Sequence, residues 1–263
     1  YKRDIPSLFN YNGFCILSDG LNAKAGTITS NEERFMNWRS IDGENIEPLS
    51  TPQYEVLFKG MLSKDRLLDI IQNFIVFHES SEEDRDVHGN RIGDRKTIIK
   101  ILAAYHQYFA VKKAIEKTKE ATSENGDRKI GVIWHTQGSG KSLSMVFYTG
   151  VLVKELNNPT IVVITDRNDL DDQLFETFSK SEDILRQRPL QADVRKLTEA
   201  QKAQQLSSNS REINGLYDLL NERQSGGIIF TTIQKFTPEK GDMPVLTDRK
   251  NVIIIADEAH RSQ

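Results

Sequence analysis

Cysteine is almost missing from this sequence: Cys15 stands alone among 263 residues. No disulfide can close within the chain, and thiolate metal clusters are excluded. A long apolar span and a secretory leader are also lacking, which together with the lone thiol points to the cytoplasm. Neither sign of charge is in excess. The 35 Lys and Arg against 38 Asp and Glu leave a formal charge of −3, so bulk electrostatics provides no footprint for nucleic acid. Any DNA contact must come from local basic residues or backbone donors. The histidines (His78, His88, His106, His135, His260) show no metal-ligand spacing, so no zinc site is expected. No repeat and no low-complexity tract stands out, and 37% apolar with 28% charged residues is the composition of a globular chain of about two domains. Tyr1 in place of a methionine, and a last residue directly after a charged motif, lead us to expect a piece of something longer.

What is present centres on His135-Thr136-Gln137-Gly138-Ser139-Gly140-Lys141-Ser142. An apolar run at residues 130–134 predicts a buried strand before it, and helical spacing of apolar residues over 143–156 predicts a helix after it. Strand, glycine turn, Lys-Ser and helix form the context of a phosphate-binding loop. Gly138 and Gly140 let the backbone fold around a polyphosphate, and the new helix adds the positive end of its dipole. Lys141 supplies a point charge to the terminal phosphates of ATP, and Ser142 an oxygen ligand for Mg²⁺. One position departs from the usual pattern, since His135 occupies the place of the first glycine.

Elsewhere the pattern is mixed. Two β-type runs, 13–18 and 21–29, flank Asp19-Gly20 and predict a hairpin. A short helix is expected over 32–38, capped by Ser30 or Asn31, a loop over 41–52, and helices over 53–61 and 63–73. Residues 79–96 alternate charges around isolated glycines and read as a solvated connector in preference to a DNA-touching loop through Arg91, Arg95 and Lys96. A long helix is expected over 97–119. From residue 130 onward, apolar runs at 161–164, 227–232 and 251–256 alternate with helical patterns at 168–178, 198–206 and 213–220, and 194–197 is a candidate minor strand. That alternation predicts a doubly wound α/β domain with a parallel sheet.

The last of these runs delivers Asp257-Glu258-Ala259-His260 to a strand end, where open α/β sheets place their ligands. Hydrolysis of a γ-phosphate needs two acids with different tasks. Asp257 is expected in the Mg²⁺ shell with Ser142, and Glu258 as the base that orients and deprotonates water.

Together these stretches resemble a superfamily 2 helicase-type motor with DEAH lettering. More narrowly, the sequence is similar to the R (motor and restriction) subunit of type I restriction-modification enzymes. The resemblance is carried by residues 134–142, by Thr165-Asp166-Arg167-Asn168-Asp169-Leu170, by Thr231-Thr232-Ile233-Gln234-Lys235-Phe236 and by Asp257 to Gln263. His135 in the first glycine's place is what that family shows, and the N-terminal stretch resembles the trailing part of its nuclease domain.

The resemblance implies a RecA-like first motor lobe over 97–263, preceded by the end of a nuclease-like domain (1–42) and a helical and loop connector (43–96). It implies ATP and Mg²⁺ as cofactors and double-stranded DNA as partner, alongside methyltransferase and specificity subunits. Residues Thr136 to Ser142 would hold the phosphates and Gln107 would read adenine, since a side-chain amide can donate and accept at once. DNA contacts are implied at Thr165, Arg167, Thr231, Thr232 and Lys235, and a coupling role at His260. The nuclease acids are expected upstream of Tyr1 and a second lobe with an arginine finger beyond Gln263, so this piece alone is expected to be inactive. Two alternatives stay open: a nucleotide-switched DNA-binding module, and another superfamily 2 helicase without nuclease activity.

Overall fold

The computed structural model describes residues 1–85, 91–166, 168–198, 200–201, 214–236 and 245–258. It divides into two compact units, 1–148 and 149–263.

In the first unit, β1 (Cys15–Ser18) and β2 (Ala23–Gly26) form the expected antiparallel hairpin. The helix expected after it is only a 3-10 turn over Glu32–Arg34, with the Asn31 side chain accepting from the Arg34 N–H. The chain then turns extended and Met36 bridges Ala25, which carries Trp38 into the interior. Helices α1 (Gln53–Gly60) and α2 (Lys64–Asn73) follow as their apolar spacing predicts.

Residues 79–85 and 91–96 are not a loop. Strands β3 (Ile75–Arg85) and β4 (Arg91–Leu102) pair antiparallel from Ile75 opposite Leu102 out to Arg85 opposite Arg91. The long helix accordingly begins later than expected, as α3 (Tyr105–Thr122). The reason is local. Thr97, Ile98, Ile99 and Ile101 are β-branched and fit a pleated surface better than a helix, and Ile75, Val76 and Phe77 give the ribbon an apolar root.

An aromatic cluster holds this unit together. The Trp38 ring lies 5.9 Å from Tyr108 and 5.8 Å from Phe109, and Phe74 packs on Tyr108 at 4.6 Å and on Phe147 at 5.6 Å. Beside it Asp69 of α2 accepts from the Tyr108 hydroxyl (2.9 Å) and from Asn73 (2.7 Å), and pairs with Lys112 of α3 (2.9 Å). A half-buried carboxylate with three donors welds α2 to α3. Helix α4 (Lys141–Glu155) starts in this unit. Residues 130–134 have no strand: they are irregular, with Val132 and Trp134 about nine-tenths exposed, so the sequence expectation of a buried strand is corrected here. An apolar run becomes a strand only when a neighbouring strand takes up its backbone groups, and no ladder includes this segment among the described residues.

In the second unit, β5 (Thr160–Thr165), β6 (Pro189–Gln191), β7 (Ile228–Thr232) and β8 (Val252–Ala256) make a four-stranded parallel sheet in the order β6-β7-β5-β8. This is the α/β architecture of a RecA-like lobe. The two central strands are buried almost throughout, as continuous Ile/Val/Phe runs require. Helix α5 (Asn168–Ser179) sets Phe175 and Phe178 against Phe230, while helix α7 (Leu216–Asn221) packs Leu216, Leu219 and Leu220 near Ile229. Neighbouring residues of a strand point to opposite faces, so α5 and α7 cover opposite sides of the sheet. Between them α6 (Glu182–Leu185) is a single turn.

The edge strand lies at 189–191, upstream of the expected 194–197, where only an isolated Val194–Gly215 bridge forms. Pro189 suits the first position of an edge strand, and its presence hid the strand from a propensity reading. The helix expected over 198–206 lies mostly outside the described residues.

Candidate nucleotide site

The P-loop belongs to the first unit. Its turn is closed by Ser139, whose N–H and hydroxyl both donate to the Thr136 carbonyl, at 3.2 and 2.6 Å. Gly138 and Gly140 have φ of +79° and +82°, the left-handed region in which an L side chain is strained. At Gly138 a Cβ would meet nothing within 4 Å, so conformation alone demands glycine. At Gly140 space demands it too, because a Cβ would stand 2.6 Å from Gln107 Nε2. Helix α4 begins at Lys141, and the Ser144 N–H returns to the Gly140 carbonyl at 3.1 Å. N–H groups of a first helical turn have no carbonyl within their own helix, which is what makes such a terminus an anion site. Thr136, Gln137 and Gly138 are exposed, while Ser139 to Ser142 are half-buried.

Gln107 is not a surface residue: it is 4% exposed and both ends of its amide are engaged. Oε1 accepts from the Ala104 N–H at 2.8 Å, capping α3, and Nε2 donates to the Gly140 carbonyl at 3.0 Å. Each end keeps capacity for one further bond. Next to it His106 reaches the Ser139 carbonyl with Nε2 at 3.1 Å. The His106 and His135 rings meet edge-on at 5.5 Å. Burial, then His106 and Lys141, push the His135 imidazole below its ordinary value, so it is neutral at pH 7. Sequence reading passed over His106 as one scattered histidine; its adjacency to Gln107 was the available signal.

The acids belong to the second unit. The Asp257 N–H continues the β8 ladder by donating to the Ile164 carbonyl at 2.9 Å, and Asp257 Oδ1 accepts the Glu258 N–H at 3.0 Å. Glu258 has φ +51°. A left-handed glutamate costs about 1–2 kcal/mol, and such strain concentrates where a side chain must be aimed. Both acids are half-buried at the C-terminal edge of the sheet.

The DNA-contact candidates among the described residues share that edge. Thr165 and Thr232 lie opposite each other in register, and Gln234 Nε2 donates to the Asp166 carbonyl at 2.8 Å, tying the two strand ends. Yet Thr165, Thr231 and Thr232 are at most 3% exposed, and the hydroxyls of Thr165 and Thr231 are buried without a hydrogen-bond partner. Their side chains face inward because helices cover both faces of the sheet. Lys235, in the 3-10 turn over Ile233–Phe236, is half-buried and reaches the surface. Arg167 and His260 lie outside the described residues.

The donor set suits Mg²⁺ brought with a nucleotide. Among the described residues no group of three or more His, Cys, Asp or Glu could hold a metal by itself. Mg²⁺ is usually held by one or two carboxylates together with substrate phosphates; Asp257 is a carboxylate of that kind in the second unit, and Ser142 is a hydroxyl in the first turn of α4 in the first.

A glycine loop ahead of a helix, with an Asp-Glu pair ending a parallel strand, defines a P-loop ATPase, and residues 106–263 match the SWI2/SNF2 ATPase family. The chain belongs to that family. It is 45% identical to the HindI type I restriction enzyme endonuclease subunit of Haemophilus influenzae, over all of this chain and 23% of that protein. It is 34% identical to the putative type I restriction enzyme MjaIXP endonuclease subunit of Methanocaldococcus jannaschii, over 99% of this chain and 23% of that one. A Staphylococcus aureus relative, the SauCOLORF180P endonuclease subunit, is 25% identical over the full chain and 24% of its own length. The chain thus spans about a quarter of the length of each of these three relatives. No helix among the described residues is long and apolar enough to cross a membrane.

Proposed function

We propose that this chain is the first motor lobe, with the end of a nuclease-like domain before it, of the ATP-driven translocase and endonuclease subunit of a type I restriction enzyme. The observation that carries the reading is the P-loop geometry: two left-handed glycines at the start of a 15-residue helix, with Lys141 and Ser142 as its first residues. Similarity to restriction endonuclease subunits along the chain supports this reading within the ATPase class. Double-stranded DNA, and the methyltransferase and specificity subunits of such a complex, are the corresponding partners.

In this reading the backbone of Thr136 to Gly140 encloses the polyphosphate and Lys141 neutralises charge that grows on the γ-phosphate as the bond breaks. Bound Mg²⁺ would supply further neutralisation, with Ser142 and Asp257 as its protein ligands. Glu258 accepts the proton of the attacking water. Gln107 contacts the adenine edge with whatever capacity its two existing bonds leave. On the DNA side, Lys235, Arg167 and backbone N–H groups at the strand ends are the contacts, and His260 couples the two functions. A pure nucleotide switch has little need of Glu258, which favours hydrolysis over the switch reading.

The test is Lys141→Ala in the full-length protein, assembled with its partners on DNA. DNA-stimulated ATP turnover should fall to background while the melting temperature holds. Turnover at the wild-type rate would remove this loop from the mechanism.

A further inference from the structure

We propose that His106 is a positioning residue of the nucleotide site, aiming the P-loop backbone through the Ser139 carbonyl. The inference deepens the ATP-site reading and rests on it.

A carbonyl oxygen can only accept, so the 3.1 Å contact fixes the proton on His106 Nε2. The next residue of α3 does the same to the next carbonyl of the loop, Gln107 Nε2 donating to Gly140 O at 3.0 Å. Two successive carbonyls of the P-loop are therefore turned toward α3. In a planar trans peptide the N–H points opposite to the C=O. Holding the Ser139 and Gly140 carbonyls against α3 thus turns the N–H groups of Gly140 and Lys141 away from it. Successive N–H groups facing one side are what a phosphate nest is made of.

The clasp has a firm base. The His106 ring is set edge-on between Tyr105 (5.4 Å) and His135 (5.5 Å). Helix α3 itself is fixed to α2 through Tyr108 and Lys112 on Asp69. A loop whose direction is imposed from outside loses less freedom when a phosphate arrives, so the clasp should show in nucleotide affinity more than in the chemical step. A histidine that merely fills space would show in stability alone.

The experiment compares His106→Phe, which keeps the ring, with His106→Gln, whose Nε2 can still donate at similar reach. Both are made in the full-length protein beside wild type and Lys141→Ala. Equilibrium binding of a non-hydrolysable Mg–ATP analogue, steady-state KM and kcat, and thermal melting are measured. We expect His106→Phe to weaken binding and raise KM by about three- to tenfold, the worth of one hydrogen bond, with kcat changed less than twofold. His106→Gln should recover most of the affinity. If His106→Phe does not fold, His106→Asn, too short to reach Ser139, takes its place. Wild-type affinity in the variant without the donor overturns the proposal, as does equal weakness of His106→Gln. Neither result touches the ATP-site reading, which fails separately if Lys141→Ala binds and turns over as wild type does.

Discussion

Gln107 and Gly140 are matched so closely that each restricts the other: the amide donates to the Gly140 carbonyl at 3.0 Å, and a Cβ on Gly140 would stand 2.6 Å from the same nitrogen. Gly140→Ala should therefore do two kinds of damage. The left-handed φ of +82° costs a non-glycine residue about 1–2 kcal/mol, and the methyl displaces Gln107 from its cap at Ala104. We expect a lowered melting temperature together with loss of measurable Mg–ATP binding. An alanine variant that binds nucleotide normally would show that the loop has another way to hold its shape.

Glu258→Gln separates binding from chemistry. The amide keeps the size of the side chain and leaves Asp257 in place, so nucleotide affinity should persist. Loss of the general base should slow hydrolysis by about 10²–10⁴. The check is a single-turnover assay beside an equilibrium titration; if affinity falls together with turnover, the roles of the two acids need exchanging.

Buried hydroxyls give an opposite prediction. The Thr165 and Thr231 Oγ1 atoms are buried with no partner. Replacing such a group with an apolar one of the same shape removes an unpaid desolvation, so Thr231→Val should be neutral or stabilise by about 1 kcal/mol in a denaturant titration. If those hydroxyls never reach DNA, affinity for duplex will be unchanged in Thr165→Val and Thr231→Val. Lys235→Ala, by contrast, should weaken DNA binding at all sequences and flatten the log–log salt dependence by about one unit. A large DNA defect in either valine variant would mean that the strand ends open when DNA binds.

Asp69 makes part of the fold's stability depend on pH. Burial alone would raise its pKa, but donors from Asn73, Lys112 and Tyr108 outweigh that and hold the carboxyl below its ordinary value. A carboxylate depressed in the folded state stabilises fully above the unfolded pKa, and the contribution is lost as pH falls through the folded one. The stabilisation from Asp69 should thus start to fall in the ordinary aspartate range and be lost completely only below it. Asp69→Ala should cost about 1.5–3 kcal/mol near neutral pH, as the charged hydrogen bonds disappear, and little once the wild-type carboxylate is protonated. Denaturant midpoints measured from pH 7 down through and below the ordinary aspartate range would decide it; a loss that stays constant throughout would assign the effect to packing.

The elements legible beforehand were those whose signal is local. Ile161 to Ile164 and Ile228 to Phe230 read as buried strands because every residue is apolar, and Gly138 to Ser142 read as a phosphate loop because the turn needs those residue types. The ribbon of β3 and β4 was hidden because Ser81 to Arg85 and Arg91 to Lys96 have neither apolar alternation nor strong β-propensity; their strand exists through pairing across the hairpin. The run at 130–134 failed in the other direction, since apolarity announces a need for partners but cannot supply them. Residue types alone marked Lys141, Ser142, Asp257 and Glu258 as candidates. The His106 clasp was invisible because it depends on where a helix from 105 meets a loop at 139, which no window of sequence contains.

The two tryptophans of this chain sit in opposite solvents: Trp38 is 4% exposed inside the aromatic cluster and Trp134 is 90% exposed, two residues before the first loop residue Thr136. Their emission should separate, with a blue-shifted component that acrylamide cannot reach and a red-shifted one that it quenches readily. The quenchable signal comes from the segment leading into the phosphate loop, so the chain carries its own optical reporter of what happens there.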